Sequence, residues 1–513
     1  MVDGNLDVRG VLDVLTRPRV HRVLWFTLWS ATAGTVMSLL LGLPAAYALH
    51  RLDFPLRGAL RALLLVPFVL PTVVVGVAFR QLLGETGPLG FLGLDGSAAA
   101  IIAGLTFFNA AVVIRAVGTA WEDLDPRPGE AAAALGASPL QVLRTVTLPA
   151  LRPAVVSAAT VVFLFCATAF GVVLTLGGLR YSTVETEIYL LTTNLLDLRA
   201  AAALSVLQLL VIVVLLVLAR RLRATPDPTV VRLPTRPHPV RRGDAGALVV
   251  TGLLLGFVLA PLLTLLTGSL RADDTWSLDN YRALATTGRS PGGAEALAVP
   301  VTDALVNSLR TAFDATWMAL SLGLLIAMIV TRRSYSPGER RLRTGLDAIV
   351  MVPLGVSAVT LGFGFLITLD EPPLDLRDSP LLVPVAQALV ALPLVVRTLV
   401  PVLASVDDRL RQAAATLGAS PWRASLTVDL PVIGKPLLAA AGFAFAVSLG
   451  EFGATSFLAR DEHPTLPVVI FDLIGHPGPM NYGMALAASV VLAATTATLM
   501  LAVERLHVPI GST

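Results

Sequence analysis

Glu130-Ala131-Ala132, with Gly136 six positions on, then Ser138-Pro139, Val146 and Leu148-Pro149, recurs as Gln412-Ala413-Ala414, Gly418, Ser420-Pro421, Val428 and Leu430-Pro431. The alanine run favours helix, and the glycine ends it or allows a sharp turn. Serine followed by proline starts a second short helix, with the hydroxyl as N-cap and the ring at the first helical position. Each copy therefore reads as two short helices joined at a glycine and small on one side, a shape that seats in a groove on a partner. A single copy would be explained as well by an ordinary helical hairpin. Two copies with one internal spacing favour docking.

The spacing extends beyond these loops. Gln412 follows Glu130 by 282 positions (412 minus 130), and the same interval separates Arg115 from Arg397, Phe170-Gly171 from Phe452-Gly453, and Thr183 from Thr465. An interval held from one end of a half to the other marks two homologous halves. We place them at residues 1–222 and 246–513, joined by a Pro- and Arg-rich linker over 223–245 that reads as solvated. Both loops fall on the same side, so the repeats are parallel, related by an axis along the membrane normal. The second half opens with an apolar helix before its polar segment Leu278–Leu284. The first half has only the comparable segment Asn5–Leu15, so either that helix was lost or the true start lies upstream, and the second is favoured. No signal peptide is recognised.

The chain is 55% hydrophobic and only 14% charged, with a mean hydropathy of +0.77. Soluble domains carry about 25% charged residues, so a soluble enzyme is disfavoured. Long Leu-, Val- and Ala-rich runs, without ten-residue alternation, exclude a membrane barrel. The fold class is therefore an all-α polytopic membrane protein with about eleven spans. They are expected at Val23–Leu49, Ala59–Leu82, Ala98–Ala120, Leu151–Leu174, Ala200–Ala219, Gly246–Leu266, Asn307–Val330, Leu346–Leu369, Leu381–Leu403, Leu437–Leu458 and Tyr482–Leu501. Arginines cluster after the first span, in the linker, and between the seventh and eighth spans, which assigns that side to the cytoplasm. Arg9, Arg17, Arg19 and Arg22 dissent by falling on the other side. A net charge of +3 gives no field for nucleic acid. The single cysteine, Cys166, permits no intrachain disulfide and reads as a small core residue.

The repeated loop resembles the EAA loop, EAA-x3-G-x9-I-x-L-P, of permeases in type I binding-protein-dependent ABC importers. Both copies match its spacing. The departures are Gln412 for glutamate and Val146 and Val428 for isoleucine; the first weakens one expected salt bridge to the ATPase. The resemblance implies that Glu130, Ala131, Gly136, Leu148 and Pro149, with Gln412, Ala413, Gly418, Leu430 and Pro431, couple the chain to an ATP-binding subunit. The chain itself carries no Walker motif: its one lysine, Lys435, is followed by Pro436, whereas a phosphate-binding loop needs Gly-Lys-Ser/Thr. ATP and magnesium are thus expected on a separate ATPase, taken to be a homodimer, and no cofactor is expected on this chain, which is not itself an enzyme. The resemblance further implies an extracytoplasmic solute-binding protein, a multi-pass inner-membrane location in contact with lipid, and alternating access. Leu174-Thr175-Leu176-Gly177-Gly178, Thr183-Val184-Glu185 and Ile188-Tyr189 resemble thiamine permeases within the fused thiamine and ferric-iron group. Gly450 to Ala454 also resembles molybdate and sulfate permeases. Thiamine is favoured and ferric iron comes next. The competing class is an ion-gradient-driven secondary transporter with parallel repeats. It would need matched midplane carboxylates or broken helices, and not twin docking loops.

Ionisable groups inside spans are costly and often functional. Glu451, expected inside the tenth span between Gly450 and Gly453, is a candidate lining or gating residue, or else a buried structural carboxylate. Asp314, expected near the outer end of the seventh span, is a weaker pathway candidate. Arg115 and Arg397, near cytoplasmic ends, are explained by snorkelling or by a gate-stabilising ion pair. The six histidines, at 21, 50, 238, 463, 476 and 507, show no metal-ligand spacing. His463 and His476 share an outer loop that a binding protein can touch.

Overall fold

A computed structural model describes residues 13–178, 180–222, 237–272, 275–289, 293–332, 336–343, 345–346, 356–369, 376 and 379–506. The chain forms two compact units, Met1–Phe68 with Val75–Thr267, and Val69–Val74 with Gly268–Thr513.

The first unit contains α1 (Pro18–Arg51), α2 (Arg57–Leu65), α3 (Thr72–Leu83, from Val75 on), α4 (Ala98–Glu122), α5 (Arg127–Ala134), α6 (Pro139–Val142), α7 (Leu148–Ala167), α8 (Gly171–Gly177), α9 (Val184–Thr193), α10 (Leu198–Leu222) and α11 (Ala245–Ser269, through Thr267). The second contains α12 (Asp279–Ala283), α13 (Val301–Thr331), α14 (Ala358–Thr368), α15 (Leu382–Ser405), α16 (Asp408–Thr416), α17 (Pro421–Ala424), α18 (Leu430–Leu449), α19 (Thr455–Leu458), α20 (Leu466–Gly475) and α21 (Pro479–Leu506). The repeat seen in the sequence reappears element by element. Adding 282 to the bounds of α6, α7 and α9 gives those of α17, α18 and α20.

Each unit has a core of three long helices: α1, α4 and α7 in the first, α13, α15 and α18 in the second. Small residues line the contacts, as expected where lipid is as apolar as leucine and close packing has to hold helices together. Ala315, Ala319 and Ala327 of α13 lie against Ala388, Ala391 and Val395 of α15. A Cβ at Gly323 would sit 2.6 Å from Val395 Cγ1, and one at Gly42 would sit 2.7 Å from Val113 Cβ. We expect Gly323→Leu to cost about 1–3 kcal/mol through overpacking. Gly252→Leu, where a Cβ meets nothing within 4 Å, should be nearly silent. Thermal unfolding of the two variants in detergent checks the difference.

Among the described residues, nine helices are long and apolar enough to cross a membrane, or ten if one bent pair is a single span. The pair corrects the expected second span. Pro67 and Pro71 interrupt Ala59–Leu82, a 3₁₀ turn fills Val66–Val69, and the flanking helices differ in direction by 106°. Two further spans stop short of expectation. The fourth ends at Ala167 and resumes at Gly171, and the tenth ends at Leu449 and resumes at Thr455. Of the expected eighth span, Leu346–Leu369, residues 347–355 lie outside the described residues, and Ala358–Thr368 is helical. The loop Asp370–Asp378 and the segment Asn5–Leu15 also fall largely outside them.

Residues 223–236 of the linker lie outside the described residues; at its end Pro239 to Gly243 are exposed, while the chain is held at two points. His238–Pro239 (β2) pairs in parallel with Leu52–Asp53 (β1), and Asp244 accepts a hydrogen bond from the Tyr47 hydroxyl at 2.7 Å. A second pair of short strands, Arg271–Ala272 (β3) and Thr275–Trp276 (β4), is antiparallel. Repeat and packing divide the chain at different points. By sequence α11 leads the second half, yet through Thr267 it belongs to the first unit, where Phe257 lies 5.8 Å from Phe79 between ring centroids.

Two of the four dissenting arginines, Arg17 and Arg19, have acidic partners; Arg9 lies outside the described residues. Arg17 donates to Asp197 at 2.9 Å and Arg19 donates twice to Glu187, a carboxylate 1% exposed. Arg17, helped by the Ala200 N–H, holds the Asp197 carboxyl below the usual carboxylate range. The folded-state value lies below the unfolded one, so this pair's small contribution is present at neutral pH and lost as pH falls through the acidic range.

Candidate functional site

The first loop builds its shape from local hydrogen bonds. α5 ends where Gly136 adopts φ +90°, with Gly136 N–H donating to Ala133 O at 2.9 Å and Ala137 N–H to Ala132 O at 3.1 Å. These bonds close the carbonyls that a helix end leaves open. Ser138 then caps α6. Its hydroxyl accepts from Gln141 N–H at 3.4 Å, while Gln141 Oε1 accepts from Ser138 N–H at 2.7 Å, a reciprocal capping box. A single π turn, Leu143–Thr147, leads into α7 at Leu148-Pro149.

The second loop repeats this geometry. Gly418 has φ +81°, Gly418 N–H donates to Ala415 O at 3.0 Å and Ala419 N–H to Ala414 O at 3.0 Å. Ser420 Oγ accepts from Arg423 N–H at 3.3 Å, and the π turn Ser425–Asp429 runs into α18 at Leu430-Pro431. Glu130, Ala131, Gly136, Leu148 and Pro149 are exposed in the first loop, as are Gln412, Ala413, Gly418, Leu430 and Pro431 in the second. All ten of the predicted residues are thus accessible.

Two residues of this surface were missed by sequence reasoning. Leu135 and Leu417, each just ahead of its glycine, are 90% and 88% exposed. Leu140 and Trp422 occupy equivalent places further on and are also exposed. A matched apolar pair 282 positions apart at the tip of a loop was the available signal.

Glu451 lies beyond the end of α18, not inside a continuous tenth span. Gly450 closes the helix, and the carboxylate turns back on the chain that follows. Ala454 N–H donates to one oxygen at 2.7 Å, Thr455 N–H to the other at 3.0 Å, and the Thr455 hydroxyl donates to that second oxygen. At 6% exposure, Glu451 satisfies donors that the broken helix would otherwise leave open. Its equivalent in the first unit is Ala169, at the break between α7 and α8.

Asp314 is half-buried about midway along α13, not at its outer end, because the helix begins at Val301 rather than Asn307. Arg115 and Arg397 hold equivalent exposed positions within the last three turns of α4 and α15. His50, not singled out in the sequence, sits fully buried at the end of α1, with Nδ1 2.8 Å from Glu122, which Arg61 also contacts at 3.0 Å. His476 Nδ1 lies 2.8 Å from the Asp472 carbonyl. Among the described residues no group of three or more His, Cys, Asp or Glu side chains is placed to hold a metal.

The model of the family described as the binding-protein-dependent transport system inner membrane component matches residues 38–225 and again 319–508. The chain belongs to this family. As a permease of that family, it carries both halves of a type I ABC importer in one polypeptide and resides in the inner membrane. The thiamine transport system permease protein ThiP of Brucella abortus (strain 2308) is 27% identical over 492 residues, covering 92% of this chain and 85% of the relative. ThiP of Escherichia coli (strain K12) is 27% identical over 478 residues, covering 88% and 83%. A probable ABC transporter permease, y4fN of Sinorhizobium fredii, is 25% identical over 532 residues, covering 98% and 91%.

Proposed function

We propose that this permease moves thiamine, with ferric iron as the next candidate, from an extracytoplasmic binding protein to the cytoplasm, driven by a separate ATP-binding subunit. The observation that carries the reading is the pair of preformed loops of one geometry, each exposing leucine, glycine and small residues. Two like surfaces suit a homodimeric ATPase that holds ATP and magnesium. Each loop runs through a π turn into a long core helix, α7 or α18, so that movement of a docked loop is passed to the membrane. ATP binding closes the ATPase dimer, the loops follow, and access switches from one side to the other. Hydrolysis resets the cycle. Glu130 supplies a carboxylate for a basic partner, and Gln412 supplies only a neutral carbonyl there.

The preference for thiamine rests on the names of the relatives and on the stretch from Leu174 to Tyr189. Uptake of labelled thiamine and labelled ferric iron by a deletion strain, with and without this gene, tests it. Restored thiamine uptake that collapses on ATP depletion is expected. Restored iron uptake alone would overturn the substrate and keep the importer.

A further inference from the structure

In the second unit the docking loop is tied to the core by an arginine knot that the first loop does not have. Arg411, the residue before Gln412, donates through Nε to Asp429 at 2.8 Å and through Nη1 to Asp408 at 2.8 Å, and its Nη2 reaches the Leu403 carbonyl at 3.5 Å. Asp429 is the last residue of the π turn, immediately before α18, and its side chain is only 4% exposed. Asp408 opens α16, and Leu403 lies in the last turn of α15. Arg332, just past α13, donates to Ser425 of the same turn at 2.5 Å. Together the two guanidiniums connect the ends of α13 and α15, the docking helix α16 and the base of α18 around a cleft of about 240 Å³.

The matching positions of the first half cannot make this knot. Gly129 stands for Arg411, Pro126 for Asp408, Thr147 for Asp429 and Leu143 for Ser425. The equivalent of Arg332 is His50, whose contact with Glu122 joins α1 to α4 and leaves α5 out. A planar guanidinium holding two carboxylates fixes distance and direction together, which dispersion between alanines does not. Asp429 is nearly dry, so the pair is little screened by water, and removing either partner strands a charge.

We propose that Arg411 is a positioning residue for coupling, acting through Asp429, and that the second loop transmits movement rigidly while the first follows by packing alone. The docking surface itself does not depend on Arg411, since Leu417, Gly418 and Trp422 are shaped by the glycine turn and the Ser420 cap. This inference rests on the importer reading above.

The test reconstitutes the full permease with its ATPase and binding protein in liposomes, supplied with labelled thiamine, and compares Arg411→Ala, Arg411→Lys and Asp429→Asn. All three variants are expected to co-purify with the ATPase in wild-type amount. Uptake per ATP hydrolysed should fall about 5-fold or more in Arg411→Ala and Asp429→Asn, the scale of a typical coupling free energy. Arg411→Lys, which keeps the charge and loses the fork, should recover part of it. Wild-type uptake per ATP in Arg411→Ala overturns the proposal. Loss of ATPase binding in all three variants also overturns it, because the knot would then merely shape the dock. A wild-type chain that holds no ATPase overturns the importer reading and the knot's role with it.

Discussion

With aspartate in place of both Gly136 and Gly418, the chain is expected to insert into the membrane at its normal level and to lose its ATP-binding subunit. Both glycines adopt positive φ, +90° and +81°, where a Cβ costs about 1–2 kcal/mol at each site. Neither site is crowded, since a Cβ there would meet nothing within 4 Å. The damage is therefore confined to the turn and to the surface it presents, and the helical core is untouched. Two strained turns, with a charge added to each exposed tip, weaken docking by about 2–4 kcal/mol, roughly 30- to 1,000-fold in affinity. Pull-down of the ATPase from solubilised membranes reads this out. Unchanged co-purification would sink the assignment of these loops as the docking surface.

The second large effect is expected at Glu451. Its carboxylate accepts from two backbone N–H groups and one hydroxyl, all buried in the break between α18 and α19. Each donor left unsatisfied costs about 1–3 kcal/mol, so Glu451→Ala removes much of what fixes the chain from Gly450 to Thr455. Uptake per molecule should fall roughly tenfold or more, well beyond any fall in membrane abundance. Glu451→Gln, which keeps one acceptor oxygen, should hold an intermediate rate. Transport at the wild-type level in Glu451→Ala would leave Glu451 only a structural part.

What was legible in the sequence was local or strictly periodic. The loops were readable because their shape is written in adjacent residues: alanines, a glycine, a serine cap and a proline. The halves were readable because one interval recurs from Arg115 to Thr183. The breaks were not, because an apolar window is blind to direction. Val66 to Pro71 is as hydrophobic as a span, yet its prolines turn the helix by 106°. The ends at Ala167 and Leu449 were hidden in the same way. Arg411 and Asp429 lie too far apart in sequence to be paired before the π turn brings them together. Leu135 and Leu417 sat in loops that composition marks as solvated, so their exposure carried meaning only once the turn was built. Arg17 and Arg19 looked misplaced until Asp197 and Glu187, distant in sequence, were found beside them.

The central claim is ATP-driven import through two docking loops, and reconstitution tests it most directly. The permease is placed in liposomes with its ATPase and a thiamine-loaded binding protein, and accumulation of labelled thiamine is followed with and without ATP. Accumulation that needs all three proteins and ATP, and that the double aspartate variant abolishes, is the predicted result. Accumulation by the permease alone, driven by an imposed ion gradient and indifferent to ATP, would contradict the account.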